Sequence, residues 1–542
     1  MRRNKKTIGI ILALLLTFAM TFASCGSTAG EADAGAAAAA TAATEYTAAS
    51  KSEMFTDRDL SGGYDESKAE SITLSGTSAE TSAKSGVSID GNTVTITAEG
   101  VYIVSGTLTD GQIIVDATEE AKVQIVLKGA SITSSDSAAL YIKSADKVFV
   151  TTAAETSNLL ANGGSFTADG TTNVDGAVFA KDDITFNGSG SLTVESPAGH
   201  GIVGKDDIKI AGGTLTVSAA RHGIQANDSV RIAEASVTIS AQEKDGIHVS
   251  DDSDEEEYES FFYMSDGSLN ISAGDDGIHA DNKALIEGGA VNVTDSYEGI
   301  EALSILVNGG DIKVIATDDG FNAAGGNASS GSRTFGDGDW GGGFPGGFND
   351  GGTDGSIDIS GGNIYIKAGG DGVDSNGSVT ISGGYTVVCG PSRGDTSVLD
   401  YNSSAAITGG TFIGTGGAGM AENFSSASQG LIAVSVGDQS AGQTVTLKDE
   451  AGNVIAEVTP ELDYSVVYIS TEAMEQGGTY SLTAGTYSES ITLSDIMYST
   501  LSGGMRGSFG GGGPRGGMNG HNNGEQPDGV TGATQMDGDI AI

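Results

Sequence analysis

Glu298-Gly299-Ile300, then Ile305 and Val307 ahead of Gly309-Gly310, then Ile312-Lys313-Val314 and finally Asp319-Gly320-Phe321, make one period of this chain and decide how it folds. The same step recurs at Asp175-Gly176, His200-Gly201, His222-Gly223, Asp245-Gly246, Asp276-Gly277 and Asp371-Gly372, with Asp395 in the next place. Most intervals are about 21 to 25 residues, and the two longer ones, before Gly277 and Gly372, contain insertions. Self-similarity at this period marks a solenoid.

Within each period, apolar and polar residues alternate at strand spacing, as in Leu215-Thr216-Val217, Val237-Thr238-Ile239, Leu269-Asn270-Ile271, Val291-Asn292-Val293 and Ile364-Tyr365-Ile366. A second set precedes the Gly-Gly turns (Ile208/Ile210, Val230/Ile232, Ile357/Ile359, Val379/Ile381), and a third follows the acidic step (Ile224, Ile247, Ile278, Ile300, Phe321, Val373). Three short strands per coil follow. Helical solenoids are excluded, because Gly, Ser, Thr and Asp interrupt every apolar run within about six residues. The expected fold is all-β: a right-handed parallel β-helix of roughly a dozen coils between about residues 85 and 420, stacked about 4.8 Å apart.

After about residue 428 the period is lost. Thr444-Val445-Thr446-Leu447, Val454 to Val458, Val466 to Ile469 and Tyr480-Ser481-Leu482 predict a small antiparallel β module that covers the last coil's unpaired edges. The N-terminus carries Arg2, Arg3, Lys5 and Lys6, an apolar run from Ile8 to Phe22, and then Ala23-Ser24-Cys25-Gly26. That pattern reads as a bacterial lipoprotein export signal with Cys25 as the lipidated residue, giving an extracellular, membrane-anchored protein. The expected organisation is a signal at 1–25, a tether at 26–54, the β-helix at 55–427, the β module at 428–498 and a Gly-rich tail at 499–542. Cys389 reads as a buried strand residue without a disulfide partner.

The formal charge is −46, from 26 basic and 72 acidic residues. No basic stripe exists to displace counterions, so nucleic acid is not an expected partner. Stacking instead lines up two acidic or polar ladders: Asp245, Asp276, Glu298, Asp319 and Asp371 in one, and Gln225, His248, His279, Glu301, Asn322 and Asp374 in the other. Rungs about 5 Å apart place carboxylate above carboxylate, which solvent or a hard cation must relieve. Calcium suits such a set because it accepts six to eight oxygens with forgiving geometry, and Asp275 and Asp318 add further oxygens. This oxygen-rich set favours calcium over zinc or nickel, with His248 and His279 read as ligand-face residues.

Other motifs carry less. Asp57-Arg58-Asp59-Leu60-Ser61-Gly62 begins like an EF-hand loop, but Lys68 stands where a bidentate Glu is needed. Two insertions stand out: an acidic one at about 251 to 263, and a Gly-rich one at about 324 to 354 bearing Trp340, Phe344 and Phe348, which could stack on neutral sugars. No Ser-His-Asp or Cys-His arrangement can be assembled, so no catalytic residue is assigned.

The segment Gly86-Val87-Ser88-Ile89-Asp90-Gly91-Asn92-Thr93-Val94-Thr95-Ile96, leading to Gly100-Val101-Tyr102-Ile103-Val104-Ser105-Gly106-Thr107-Leu108, and the run Asp276-Gly277-Ile278-His279-Ala280-Asp281-Asn282, resemble a known family. It is that of clostridial surface carbohydrate-binding proteins with a calcium-containing parallel β-helix similar in fold to pectate lyases. The resemblance covers about residues 55 to 490. It implies binding of plant cell-wall polysaccharide, notably acidic polygalacturonate, with cellulose as a second candidate and no established cleavage. It also carries calcium ligation onto the matching acidic-Gly positions. His200 and His222, where acidic residues are expected, depart from the pattern. A calcium-assisted lyase, with Lys244 or Arg221 as base, and a structural adhesin are the alternative expectations.

Overall fold

The computed structural model describes residues 51–250, 260–324, 355–391 and 396–501. Chain contacts separate a unit spanning Met1–Thr47 from one spanning Ala48–Ile542, and every described residue belongs to the second. The lipidation expected at Cys25, Trp340 with the Gly-rich insertion, and the tail all lie outside the described residues.

The described chain is a parallel β-helix with three strand files. One file, the first face, opens with Thr93–Ile96 and Gln112–Asp116 and runs on from Leu140–Ser144 through Gly176–Ala180, His200–Gly204, Ile224–Ala226 and Ile247–Val249 to Phe321–Ala323, Val373–Ser375 and Leu399–Tyr401. The second face runs from Lys147–Thr152 to Ser404–Ile407, and the third from Ser157–Asn162 to Thr411–Gly416. Ile278–Ile286 and Ile300–Val307 turn the corner from first to second face without a break. Pairing is parallel and in register: Ile278 opposite Ile300, Ile300 opposite Phe321, Phe321 opposite Val373, Val373 opposite Leu399. Each inward aliphatic therefore rests on its equivalent one coil away. On the third face the alternation predicted from Leu215-Thr216-Val217 is seen directly, with Leu215, Val217 and Ala219 buried and Thr214, Thr216 and Ser218 exposed.

The acidic-Gly step is not a tight turn of the left-handed kind. It forms the bend that leads from the third face into the first, and its glycine does not use a positive φ. A Cβ on Gly320 would instead collide with Ile366 Cγ2 and with the carbonyl oxygen of Gly372 in the next coil. Glycine is required there by packing. Left-handed conformations occur instead at the second residue of the Gly-Gly pairs ahead of the third face, as at Gly310 (φ 95°) and Gly362 (φ 89°), where a β-carbon is disfavoured.

Two register places also shift. Gly176, not Asp175, pairs with His200, so Asp175 stands one residue before the acidic ladder. Val373 pairs with Leu399, which puts Ser397 in the place after Asp371, while Asp395, expected there, lies outside the described residues. In both coils the loop into the first face has a different length, which a fixed spacing cannot register.

Ahead of the first coils, Lys51–Met54 and Asp57–Leu60 form two short helices, so the segment expected to end a tether is folded from Lys51 onward. This strap lies along the second face. Phe55 packs with Ala211, Ala233, Tyr263, Leu285 and Leu306, and Arg231 donates to the Met54 carbonyl at 3.1 Å. Asp59, fully buried, pairs with Lys147 at 2.7 Å and accepts from Thr185 Oγ1 at 2.8 Å. It is thus a structural ion pair, with its carboxyl held down at about 2: burial opposes the charge, and Lys147, Thr56 and Thr185 outweigh it.

At the far end, Thr411–Gly416 pairs antiparallel with Tyr464–Ser470, which pairs antiparallel with Leu431–Gln439. A separate four-stranded sheet holds Val454–Val458, Val445–Lys448, Thr479–Ala484 and Tyr487–Thr492. Its core joins Val387, Cys389 and Ile413 of the last coils to Ile432, Val434, Leu447 and Leu482. Cys389 is fully buried, as expected for a strand residue.

Because Gly320 touches both core and neighbouring backbone, Gly320→Ala should destabilise the solenoid by about 1–3 kcal/mol, the usual cost of overpacking. Urea unfolding of variant and parent checks this.

Candidate functional site

At His222, Asp245, Asp276, Asp319 and Asp371 the side chain of the bend residue accepts a hydrogen bond from the backbone N–H of the equivalent residue one coil on. Asp276 N donates to Asp245 Oδ1 at 3.1 Å, Glu298 N to Asp276 Oδ1 at 3.2 Å and Asp371 N to Asp319 Oδ1 at 2.5 Å, and Ser397 N donates to Asp371 Oδ1. His222 fills the same role, its Nδ1 accepting from Asp245 N at 3.2 Å. The histidine departure in the ladder therefore keeps the stitch while removing a negative charge. One oxygen of each of these aspartates is used this way, and the other faces the second ladder.

The two halves of the ladder are neutralised differently. In the earlier coils four imidazoles stack in sequence, His200, His222, His248 and His279, with centroid separations of 5.0, 4.3 and 4.9 Å. The stack crosses from the acidic file to the second file between His222 and His248. Asp245 Oδ2 lies 2.6 Å from His248 Nδ1 and 3.3 Å from His222 Nδ1. Burial opposes its charge, but the two rings hold its carboxyl well below the usual range. His279 lies 2.6 Å from Glu301, 3.2 Å from Asp281 and 3.6 Å from Asp276. Burial works against its charged form, yet the three carboxylates push it up to about 12, so it is a fixed internal cation. His200, by contrast, is lowered to about 3, first by burial and then by its cationic neighbours. Asp275 joins Asp245 and Asp276 in a tight group and is paired with Lys244 at 3.3 Å.

Glu298 sits between the halves. Burial, Glu301 and Asp276 raise it to about 9, and Asn322 Nδ2 donates to its Oε2 at 2.8 Å.

In the later coils Asp319, Asp371 and Asp374 bring carboxylate oxygens within 4.8 Å of one another. Burial, followed by neighbouring carboxylates, raises them to about 7, about 6 and about 8. Their strongest charged neighbours are each other, Asp318 and Asp400. Gly370 makes room for this convergence, since a Cβ there would collide with the carboxylates of both Asp318 and Asp319. Asp400, paired in register with Asp374, was missed in the sequence because the acidic-Gly step that marks the period is absent from Ser397-Val398-Leu399. The strand pattern of Leu399-Asp400-Tyr401 was the only signal that could have found it.

An all-oxygen, partly buried donor set with no basic partner among its strongest neighbours fits a hard divalent cation, and its size and irregularity fit calcium better than magnesium. Asp319, Asp371 and Asp374 would hold such an ion, with Asp318 and Asp400 at its flanks. The earlier half, with its own imidazolium and lysine, has less need of one. Lys244 and Arg221, considered as lyase bases, flank the bend residues Asp245 and His222, three and four coils before Asp319.

Residues 90–341 match the family described as carbohydrate-binding domain-containing proteins. A protein of that description from Acetivibrio thermocellus is 40% identical over 134 residues, which are 24% of this chain and 47% of the relative. The chain thus spans about half the length of the curated relative it matches. A solved structure titled as a polysaccharide lyase-like protein from C. thermocellum, gadolinium derivative, is 31% identical, covering 45% of this chain and 93% of its own, with a TM-score of 0.37.

The raised carboxyls give a signed expectation. Their contribution to stability is fully present below their ordinary pKa near 3.8 and is lost as pH rises through about 6 to 8. In chelator, the melting temperature should therefore fall between about pH 4 and 8, and saturating calcium should remove most of that fall. Scanning calorimetry across that range, with and without calcium, measures it.

Proposed function

We propose that this protein is an exported, Cys25-lipidated surface protein that binds acidic polysaccharide, such as polygalacturonate, through calcium held on the first face. The carbohydrate-binding family match over residues 90–341 supports the ligand class. The observation that carries the mechanism is the Asp319, Asp371 and Asp374 cluster, whose strongest charged neighbours are further carboxylates. A chain of net charge −46 repels a polyuronate unless cations stand between the two sets of carboxylates. Calcium suits this bridge because its six to eight sites are not exhausted by three aspartates, leaving positions for uronate and water oxygens. The protein's part is to fix the carboxylates at coil spacing and partly exclude water.

Calorimetric titration with polygalacturonate, in calcium and then in chelator, tests the reading: binding should vanish on chelation, and affinity unchanged by chelation would overturn it. Asp371→Asn and Asp374→Asn should each weaken calcium and glycan binding together by at least tenfold, about 1.4 kcal/mol. Asn at 371 retains an acceptor for Ser397 N, so the fold should persist. Asp276→Asn, in the half neutralised by His279, should leave calcium binding within about twofold of the parent.

A further inference from the structure

Just ahead of the bend residue, each coil carries a position whose file reads Arg221, Lys244, Asp275, Tyr297, Asp318 and Gly370. Tyr297 interrupts this charged file. Its N–H donates to the Asp275 carbonyl at 2.8 Å, and its own carbonyl accepts from Asp318 N at 2.9 Å, so it stands in register between those two residues. Its side chain is nevertheless 42% exposed, one of four exposed large apolar side chains among the described residues. Of the others, Tyr385 lies on the third face, while Met420 and Val454 lie beyond the last first-face strand. Tyr297 alone adjoins the carboxylates. Asp318, one coil on in the same file, stands close enough to raise the Tyr297 hydroxyl above its ordinary range.

An aromatic ring held open to solvent beside a cation site is suited to a ligand with both an apolar face and a charged group. A pyranose supplies the first through its axial C–H bonds, and a uronate supplies the second. From the coil of Tyr297 to that of Asp371 is two coils, about 10 Å along the axis, the span of a short oligosaccharide. In the same file Gly370 has no side chain, and the carboxylates of Asp318 and Asp319 occupy the space beside it, between Tyr297 and Asp371.

We propose that Tyr297 is a saccharide-stacking platform: one pyranose of an acidic polysaccharide lies on its ring while the carboxylate of a neighbouring uronate reaches the cation held by Asp319, Asp371 and Asp374. This rests on the polysaccharide-binding reading above and adds to it a subsite and an orientation, with the glycan running along the solenoid axis.

The test uses the parent, Tyr297→Ala and Tyr297→Phe, each titrated calorimetrically with oligogalacturonate in saturating calcium, and separately with calcium alone. Tyr297→Ala should bind the saccharide about tenfold more weakly, Tyr297→Phe should stay within about twofold of the parent, and calcium affinity should be the same in all three. Unchanged saccharide affinity in Tyr297→Ala, while the parent still requires calcium, overturns the platform and leaves the bridging mechanism standing. Equal losses in Ala and Phe would place the effect in the hydroxyl rather than the ring, and weaker calcium binding in Tyr297→Ala would place it in the ion site; either overturns the proposal. If the parent binds no acidic saccharide, the broader reading fails and the platform with it.

Discussion

Every residue of this solenoid lies about 4.8 Å from its equivalent in the next coil, and the rest of the molecule follows from that repeat. For aliphatics the repeat is favourable, because Ile278, Ile300, Phe321, Val373 and Leu399 bury one another in a continuous file. For carboxylates it is unfavourable, since like charges at that distance in a partly buried setting repel strongly. The bend aspartates persist there because each gives one oxygen to the next coil's backbone N–H, tying successive coils together where the chain changes face. A residue chosen for that stitch brings its second oxygen, and its charge, with it.

That surplus is handled in two ways along one surface. From His200 to His279 the chain supplies its own counterweights, ending in an imidazolium surrounded by Asp276, Asp281 and Glu301. At Asp319, Asp371 and Asp374 the charged neighbours that weigh most are other carboxylates, and these three side chains respond by holding protons into the neutral range. A single ladder thus divides into a self-neutralised segment and one that is complete only with a cation from outside. Composition shows the acidity but not this division, which depends on which rungs are imidazole.

The solenoid was legible because its signal repeats: alternation in Leu215-Thr216-Val217 and its equivalents, Gly-Gly at corners, and an acidic-Gly step in each period. The bend ladder was legible for the same reason. What escaped were features set by contact rather than by spacing. The glycine after each acid is dictated by the Ile or Val beneath it, as Gly320 is by Ile366, and not by turn geometry. The histidine stack crosses between files because His222 and His248 occupy different places in their coils, so a search along one file could not link them. Asp400 was lost where the marker step itself was replaced by Ser397-Val398, and the Asp59–Lys147 ion pair joins residues too far apart in sequence for any spacing to connect them.

The strap from Lys51 to Leu60 has a mechanical consequence. Its grip is on the second face at Arg231, Ala233, Tyr263, Leu285 and Leu306, not on the first coil, whose strands follow it in the chain. Tension arriving from the N-terminal side therefore enters the solenoid part-way along, as shear spread over Phe55, Asp59 and their partners, rather than peeling the first coil away strand by strand. The load is shared between the coils of Lys147 and Thr185, which hold Asp59, and those of Ala233 to Leu306, which hold Phe55, so both contacts must give way before the first strands peel.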